Sequence, residues 1–188
     1  AAARGIDPNQ LVWVVVGDLS KIEAGHLVIE PETVELKSLS STLQNLFGPI
    51  GEGKGVPFRV EFMPGVPESI VSDSQRLQQV LKNLLSNAFK FTETGSVTLA
   101  LAAHGDDAVR FEVRDTGIGI PEDKLRLIFE AFQQADSGTS RRYGGTGLGL
   151  STVYGIVKQS GGYIFAESEL GRGASFVIYL PVYAGADA

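Results

Sequence analysis

The chain has 188 residues, a formal net charge of −6 and a hydrophobic content of 43%, which are ordinary values for one globular domain with its own core. The absence of cysteine excludes disulfides and thiolate metal sites, and the negative net charge disfavours a surface that wraps nucleic acid. No apolar stretch approaches the ~18 residues of a membrane span and no signal-peptide pattern is present, so we expect a cytosolic domain without membrane contact.

The amino-terminal region gives conflicting signals. The β-branched run Leu11–Val16 favours a strand, whereas Asp18–Gly25 indicates the end of a helix that a glycine terminates. We expect a tail at 1–10, a helix end and linker at 11–26, the main domain at 27–183 and a second tail at 184–188.

Hydrophobic periodicity predicts strands and helices over the main domain. Helices are expected at Leu36–Ile50, broken by the glycine-rich residues 51–55, at Ser74–Phe91, at Glu122–Phe132 and at 147–160. The clearest is Ser74–Phe91, whose apolar face comprises Leu77, Val80, Leu81, Leu84, Leu85, Ala88 and Phe91. An edge strand is expected in His26–Leu36, and further strands near 56–63, 96–103, 108–115, 162–168 and 174–180.

Three polar side chains share one edge of the helix at 74–91. Asn83, Asn87 and Lys90 lie within about 60° of each other, beside the apolar face. An amide oxygen can ligate Mg²⁺, which takes few protein ligands and several phosphate oxygens, and a lysine supplies a point charge for a phosphate. The alternative is a solvated edge of an amphipathic helix.

Two glycine-containing loops suggest a nucleotide. Asp115 follows a strand directly, and its carboxylate can accept a hydrogen bond from an exocyclic amine such as that of adenine. Gly117 and Gly119 let this loop approach a base closely, although an ordinary Asp-initiated turn has the same composition. Alternating glycines at 144–150 precede a helix, whose N-terminus favours an anion; the alternative is a plain turn.

Phe129 and Phe132 precede a polar segment at 133–143. The few apolar residues of that segment predict mobility in the absence of ligand. The alternative interpretation of the two phenylalanines is that they pack in the hydrophobic core.

Four stretches in this order resemble the boxes of bacterial sensor histidine kinases. They are N-L-L-S-N-A-F-K-F-T (N box), D-T-G-I-G-I-P (G1 box), F-E-A-F-Q-Q (F box) and R-R-Y-G-G-T-G-L-G-L (G2 box). In addition, D-L-S-K-I-E-A-G resembles the join between dimerisation helices and catalytic domain in hybrid kinases, which assigns 11–26 to the end of a dimerisation helix. The similarity covers about residues 17–182 and indicates the GHKL ATPase superfamily. Type II topoisomerases and mismatch-repair proteins are similar in the N and G1 boxes but lack this F box and linker.

The resemblance implies a fold and a set of contacts. The fold is a two-layer α/β sandwich of the Bergerat type, with helices on one face of a mixed sheet. Asn87 would ligate Mg²⁺ with Asn83 beside it, Lys90 would contact phosphates, and Asp115 would hold adenine. The further nucleotide contacts would be Gly117 and Gly119 around adenine, Phe129 and Phe132 anchoring a lid, Arg141 or Arg142 at the γ-phosphate, and Gly145, Thr146, Gly147, Leu148 and Gly149 around the phosphates.

The implied function is donation of the γ-phosphoryl group of Mg-ATP to a histidine on a dimerisation domain, with a receiver domain downstream. Whether the parent protein is anchored in a membrane stays open. His26 and His104 lack the H-E-x-R-T-P context of the acceptor, so the acceptor is expected outside this chain. The alternatives are a degenerate kinase that only binds nucleotide and a clamp ATPase of the topoisomerase class.

A second nucleotide site is suggested near the carboxyl terminus. Tyr154 and Lys158 are four residues apart on a predicted helix, and Tyr163 begins the next strand. The stretch S-T-V-Y-G-I-V-K-Q-S-G-G resembles a subgroup that includes hybrid kinases responsive to cyclic di-GMP. Two aromatic rings and a cation could hold such a ligand; the alternative is that Tyr154 packs in the core and Lys158 is solvated.

Overall fold

The computed structural model describes residues 30–125 and 148–182. Within these ranges the helices are α1 (Leu36–Lys54), α2 (Ser74–Phe91), α3 (Glu122–Leu125) and α4 (Leu148–Gln159). The strands are β1 (Glu32–Glu35), β2 (Phe58–Phe62), β3 (Ser69–Ser72), β4 (Val97–His104), β5 (Ala108–Asp115), β6 (Tyr163–Glu169) and β7 (Gly173–Pro181). No helix in the described part of the chain is long and apolar enough to cross a membrane.

Five strands form a mixed sheet in the order β2-β4-β5-β7-β6. The β2 strand runs parallel to β4, and the other neighbours are antiparallel. The remaining strands, β1 and β3, pair with each other in a separate antiparallel sheet. The expected α/β sandwich with a mixed sheet is thereby confirmed.

Along its strand β5, the five-stranded sheet is apolar toward the helices and charged on its other face. Along β5, Val109, Phe111 and Val113 are buried in the common core with side chains of α1, α2 and α4, and the residues between them point away because side chains alternate along a strand. On that other face Glu112 is only 5% exposed. Its carboxylate accepts hydrogen bonds from Arg110 Nη2 (2.7 Å), Arg114 Nη2 (2.7 Å) and Ser175 Oγ (2.8 Å). Burial alone raises the pKa of Glu112, but these bonds and the arginine charges outweigh it and lower the pKa.

Helix α2 has the bounds that its periodicity predicts. It begins after Asp73, whose Oδ1 accepts a hydrogen bond from Arg76 N (2.9 Å) as an N-cap. The predicted face is buried, with one difference: Phe89 is buried and Phe91 is only partly so. The reason is packing at the carboxyl end of the helix, where the Phe89 ring stacks on Phe47 at 5.7 Å between centroids and meets Phe58 edge-on at 5.9 Å.

Helix α1 is longer than predicted, because the glycine-rich residues form its last turn. It continues to Lys54 and ends at Gly55, which has a left-handed φ of +67°. A Cβ on Gly51 would lie 2.5 Å from the Val56 carbonyl oxygen, so this glycine lets the chain fold back over the helix end. The Lys54 Nζ then donates to the carbonyl oxygens of Phe89 and Thr92 at the end of α2.

The predicted strands agree less well at the amino-terminal side. Within the described residues, the expected edge strand covers Glu32–Glu35 and pairs with Ser69–Ser72, a strand that the periodicity does not indicate. The strand expected at 56–63 begins only at Phe58, and Phe62 at its end is 42% exposed. The predictions for residues 1–29, and for the helix beyond Leu125, lie outside the described residues.

Candidate functional site

Asp115, the last residue of β5, is a buried carboxylate with one engaged oxygen. Its residue exposure is 7%, and its Oδ1 accepts hydrogen bonds from the backbone N–H groups of Gly117 (2.8 Å) and Ala174 (3.3 Å). Burial raises the pKa of Asp115, and the two backbone hydrogen bonds partly offset that rise. The hydrogen bonds of the described residues use Oδ1, so Oδ2 can accept an N–H group of a ligand, and charged acceptors form the stronger hydrogen bonds.

The residues after it, 116–120, form what we call the Asp115 loop, and backbone contacts hold it on two sides. Toward α2, Ile118 N donates to Phe91 O (3.2 Å), and a Cβ on Gly117 would lie 2.2 Å from that same oxygen. Toward β6, Gly119 has a φ of +70°, and a Cβ there would lie 2.2 Å from Glu169 O. Both glycines are therefore required by close backbone approach.

The polar edge of α2 carries the three predicted side chains. Asn83 and Asn87 are half-buried and Lys90 is exposed, with its Nζ 5.3 Å from the Phe91 ring centroid. Within the described part of the chain, neither asparagine amide has a hydrogen-bond partner, and no group of three His, Asp or Glu side chains could hold a metal. A Mg²⁺ ion here would take amide oxygens and ligand phosphates, which is a donor set that suits it.

Asp115 and this polar edge meet through the end of α2. Because a helix rises 1.5 Å per residue, Asn87 and Asn83 lie about 6 Å and about 12 Å along the axis from Phe91, which the Asp115 loop contacts. A ligand with an amine-bearing ring at one end and a chain of phosphates at the other could span these groups.

Part of the predicted site lies outside the described residues. This applies to the segment at 133–145 and to Phe129, Phe132, Arg141, Arg142, Gly145, Thr146 and Gly147. Leu148 begins α4, which is the helix that the sequence predicts after the glycine turn. No described atom lies within 4 Å of a Cβ built on Gly149.

The second cluster converges as its spacing suggests. The Lys158 Nζ lies 4.5 Å from the ring centroid of Tyr163 and 5.9 Å from that of Tyr154. Tyr163 is 58% exposed, and Tyr154 packs partly against the core. The two rings thus flank one cation at the edge of the sheet.

The β6–β7 turn (residues 170–172) and the strand ends beside it also shape the site, which the sequence does not reveal. Ala174 N reaches Asp115, and a Cβ on Gly173 would lie 2.0 Å from Asp115 O. The sequence indicates only a turn at Gly171–Gly173, and its paired glycines are the one available signal. His104 is an exposed strand-end residue whose ring lies 4.6 Å from that of Tyr179, while His26 falls outside the described residues.

Comparison with known proteins agrees with this arrangement. Residues 72–184 match HATPase_c, the histidine kinase-, DNA gyrase B- and HSP90-like ATPases. The chain is 39% identical over 178 residues to the signal transduction histidine-protein kinase BarA of Escherichia coli, covering 92% of this chain and 19% of BarA. It therefore spans about a fifth of that relative.

Two solved structures show the same fold. Full-length ShkA in complex with AMPPNP superposes with a TM-score of 0.73 at 35% identity, covering 84% of this chain and 32% of ShkA. The catalytic domain of histidine kinase ThkA superposes with a TM-score of 0.68 at 29% identity, covering 81% of this chain and 96% of that domain. The chain belongs to the histidine kinase-, DNA gyrase B- and HSP90-like ATPase family, and the relatives it resembles are sensor histidine kinases.

Proposed function

We propose that this chain binds Mg-ATP and donates the γ-phosphoryl group to a histidine on a dimerisation domain in two-component signalling. The observation that carries the proposal is the buried Asp115 carboxylate, whose Oδ2 is available beside the end of α2. The similarity to ShkA, whose structure contains AMPPNP, supports an adenine nucleotide as the ligand.

The geometry along α2 supports one role for each residue. Asp115 accepts the adenine amine, while Gly117 and Gly119 keep the loop close to the base. Asn87, with Asn83 one turn away, offers amide oxygens to Mg²⁺, and Lys90 supplies positive charge to the phosphates. Bound there, Mg²⁺ would neutralise phosphate charge as the γ-phosphoryl group transfers.

The reaction requires a second domain. An imidazole nitrogen of the acceptor histidine attacks the γ-phosphorus, the bond to the β-phosphate oxygen breaks, and ADP leaves. Positioning and charge stabilisation account for most of the catalysis in such transfers. A receiver domain would take the phosphoryl group next.

Two measurements test the proposal. Calorimetry with AMPPNP should show binding that Mg²⁺ strengthens, and failure of either would contradict it. Incubation with γ-labelled ATP and a purified histidine-bearing dimerisation domain should then label that domain in trans. Nucleotide binding without labelling would favour a degenerate kinase, and appreciable ATP hydrolysis by the chain alone would favour a clamp ATPase.

We also propose a second nucleotide site for cyclic di-GMP, because Lys158 lies over both the Tyr154 and Tyr163 rings. Rings of this kind can stack a purine, and the cation can meet a phosphate. Cyclic di-GMP should bind protein that is already saturated with AMPPNP. The Tyr154→Ala variant should weaken that binding at least about fivefold, whereas Lys37→Gln on α1 should not. No binding, or equal binding by Tyr154→Ala, would end this proposal.

A further inference from the structure

Ser168, near the end of β6, joins the Asp115 loop to the start of β7. Its Oγ accepts a hydrogen bond from Ile120 N (2.7 Å) and donates one to Gly173 O (2.7 Å). A hydroxyl can do both at once because it carries one proton and two lone pairs. The residue is half-buried, so water competes poorly for these two backbone groups.

The backbone contacts around Ser168 form a continuous seam. Gly171 N, in the β6–β7 turn, donates to Ile118 O (2.7 Å). Gly119 lies against Glu169, and Gly173 lies against Asp115, at distances that leave no room for a Cβ. Among the hydrogen bonds of the described residues, the one from Ile120 N to Ser168 Oγ joins this loop to a side chain of β6.

We propose that Ser168 is a positioning residue for nucleotide binding, which holds the Asp115 loop in its binding shape without contacting the nucleotide. This inference rests on the proposed ATP-binding function. The physical reason is preorganisation: a loop that is ordered before binding does not lose that conformational freedom when the ligand arrives. Through Ile120, Ser168 holds the loop whose Gly117 N–H donates to Asp115. Through Gly173, it holds the start of β7, whose Ala174 N–H donates to the same carboxylate.

Three substitutions of Ser168 distinguish the effect of its hydrogen bonds from the effect of its side-chain size. Ser168→Ala removes both hydrogen bonds, Ser168→Cys keeps the shape with a weak donor and acceptor, and Ser168→Thr keeps the hydroxyl. Ser160→Ala is the matched control, since Ser160 Oγ also donates to a backbone carbonyl, that of Ile156 (3.0 Å), at the far end of α4. Each variant is measured for AMPPNP affinity by calorimetry, for Ile120 amide exchange by NMR and for its melting temperature.

We expect Ser168→Ala and Ser168→Cys to bind AMPPNP about tenfold more weakly, as the loss of one or two partly buried hydrogen bonds predicts. Their Ile120 amide should exchange faster in the empty protein, which a general loss of stability would not confine to this loop. Ser168→Thr and Ser160→Ala should bind as the parent does.

Other outcomes overturn the inference. Parental affinity in a folded Ser168→Ala or Ser168→Cys protein would show that the Ser168 hydroxyl does not position the site, while the proposed function would stand. An equal loss in Ser168→Thr or Ser160→Ala, or failure of both Ala and Cys variants to fold, would show a general structural role. A parent that binds no AMPPNP would refute the proposed function itself.

Discussion

Replacing Asp115 by asparagine tests the adenine contact with almost no change of shape. The asparagine Oδ1 can keep the hydrogen bonds from Gly117 N and Ala174 N that the carboxylate accepts now. Its amide nitrogen then takes the place of Oδ2 and presents N–H donors where adenine also presents a donor. A hydrogen bond to a charged group contributes about 1.5–3 kcal/mol, so AMPPNP affinity should fall by roughly ten- to a hundredfold.

The same substitution should not destabilise the domain in the absence of nucleotide. Burial raises the pKa of Asp115 above 3.8, so the ionised carboxylate costs stability once the pH exceeds the folded-state pKa. The free energy of unfolding of the parent should therefore fall as the pH rises from the pKa of the unfolded group through the folded-state pKa. The Asp115→Asn variant should not show this decrease. At neutral pH the empty variant should melt at or above the parent temperature.

Calorimetry with AMPPNP and its guanine counterpart is the assay, and Asp106→Asn in the exposed β4–β5 turn is the control. The parent should prefer adenine, because guanine presents a carbonyl where adenine presents an amine. Asp115→Asn should narrow that preference, since its amide can donate to the carbonyl. Parental AMPPNP affinity in Asp115→Asn, or equal affinity of the parent for both nucleotides, would refute the assignment.

Three further substitutions test other parts of the structure. Asn87→Ala should lose most of the Mg²⁺ enhancement of AMPPNP binding but keep its affinity for adenosine; an unchanged enhancement in calorimetry would exclude Asn87 as the ligand. Glu112→Gln should destabilise by about 1–2 kcal/mol at pH 7. The folded-state pKa of Glu112 is lowered, so its contribution to the free energy of unfolding is present above the unfolded pKa of about 4.3. That contribution is lost as the pH falls through the folded-state pKa, and the melting temperatures of parent and variant should therefore converge in acid. Lys54→Met removes the hydrogen bonds to the end of α2 and should lower the free energy of unfolding by about 1 kcal/mol in urea denaturation. Lys37→Met should not lower it, and equal effects of the two substitutions would contradict a stabilising contact of Lys54 with α2.

Sequence predicts best where one element carries a complete pattern. Helix α2 has its predicted bounds because its apolar positions repeat over five turns and Asp73 caps it. The strands β4 to β7 agree to within about a residue because each runs for seven residues or more between turns. The polar edge of α2 and Asp115 are found from the sequence for the same reason: spacing and a strand end are local properties.

The missed features depend on partners far away in the chain. Gly51 belongs to α1 because the returning chain at Val56 packs on it, a contact that composition does not contain. Ser69–Ser72 becomes a strand only by pairing with β1, whose paired residues lie 34 to 40 positions earlier in the chain. Ser168 is one serine among many until the fold places its hydroxyl between Ile120 and Gly173.

The double role of α2 limits how this chain can change in length. Its apolar side is fixed in the core, and Asn83, Asn87 and Lys90 lie along an adjacent edge of the same rigid helix. Inserting one residue between Leu77 and Asn83 would rotate the part of α2 after the insertion by about 100° relative to the part before it. Either Leu77 would then leave the core, or the asparagines and the buried side chains that follow Asn83 would leave their present positions. The exposed β4–β5 turn at Gly105–Asp107 carries no such double constraint and is a place for tolerated insertions. Length variation among descendants of this sequence should accordingly accumulate in its turns and spare α2.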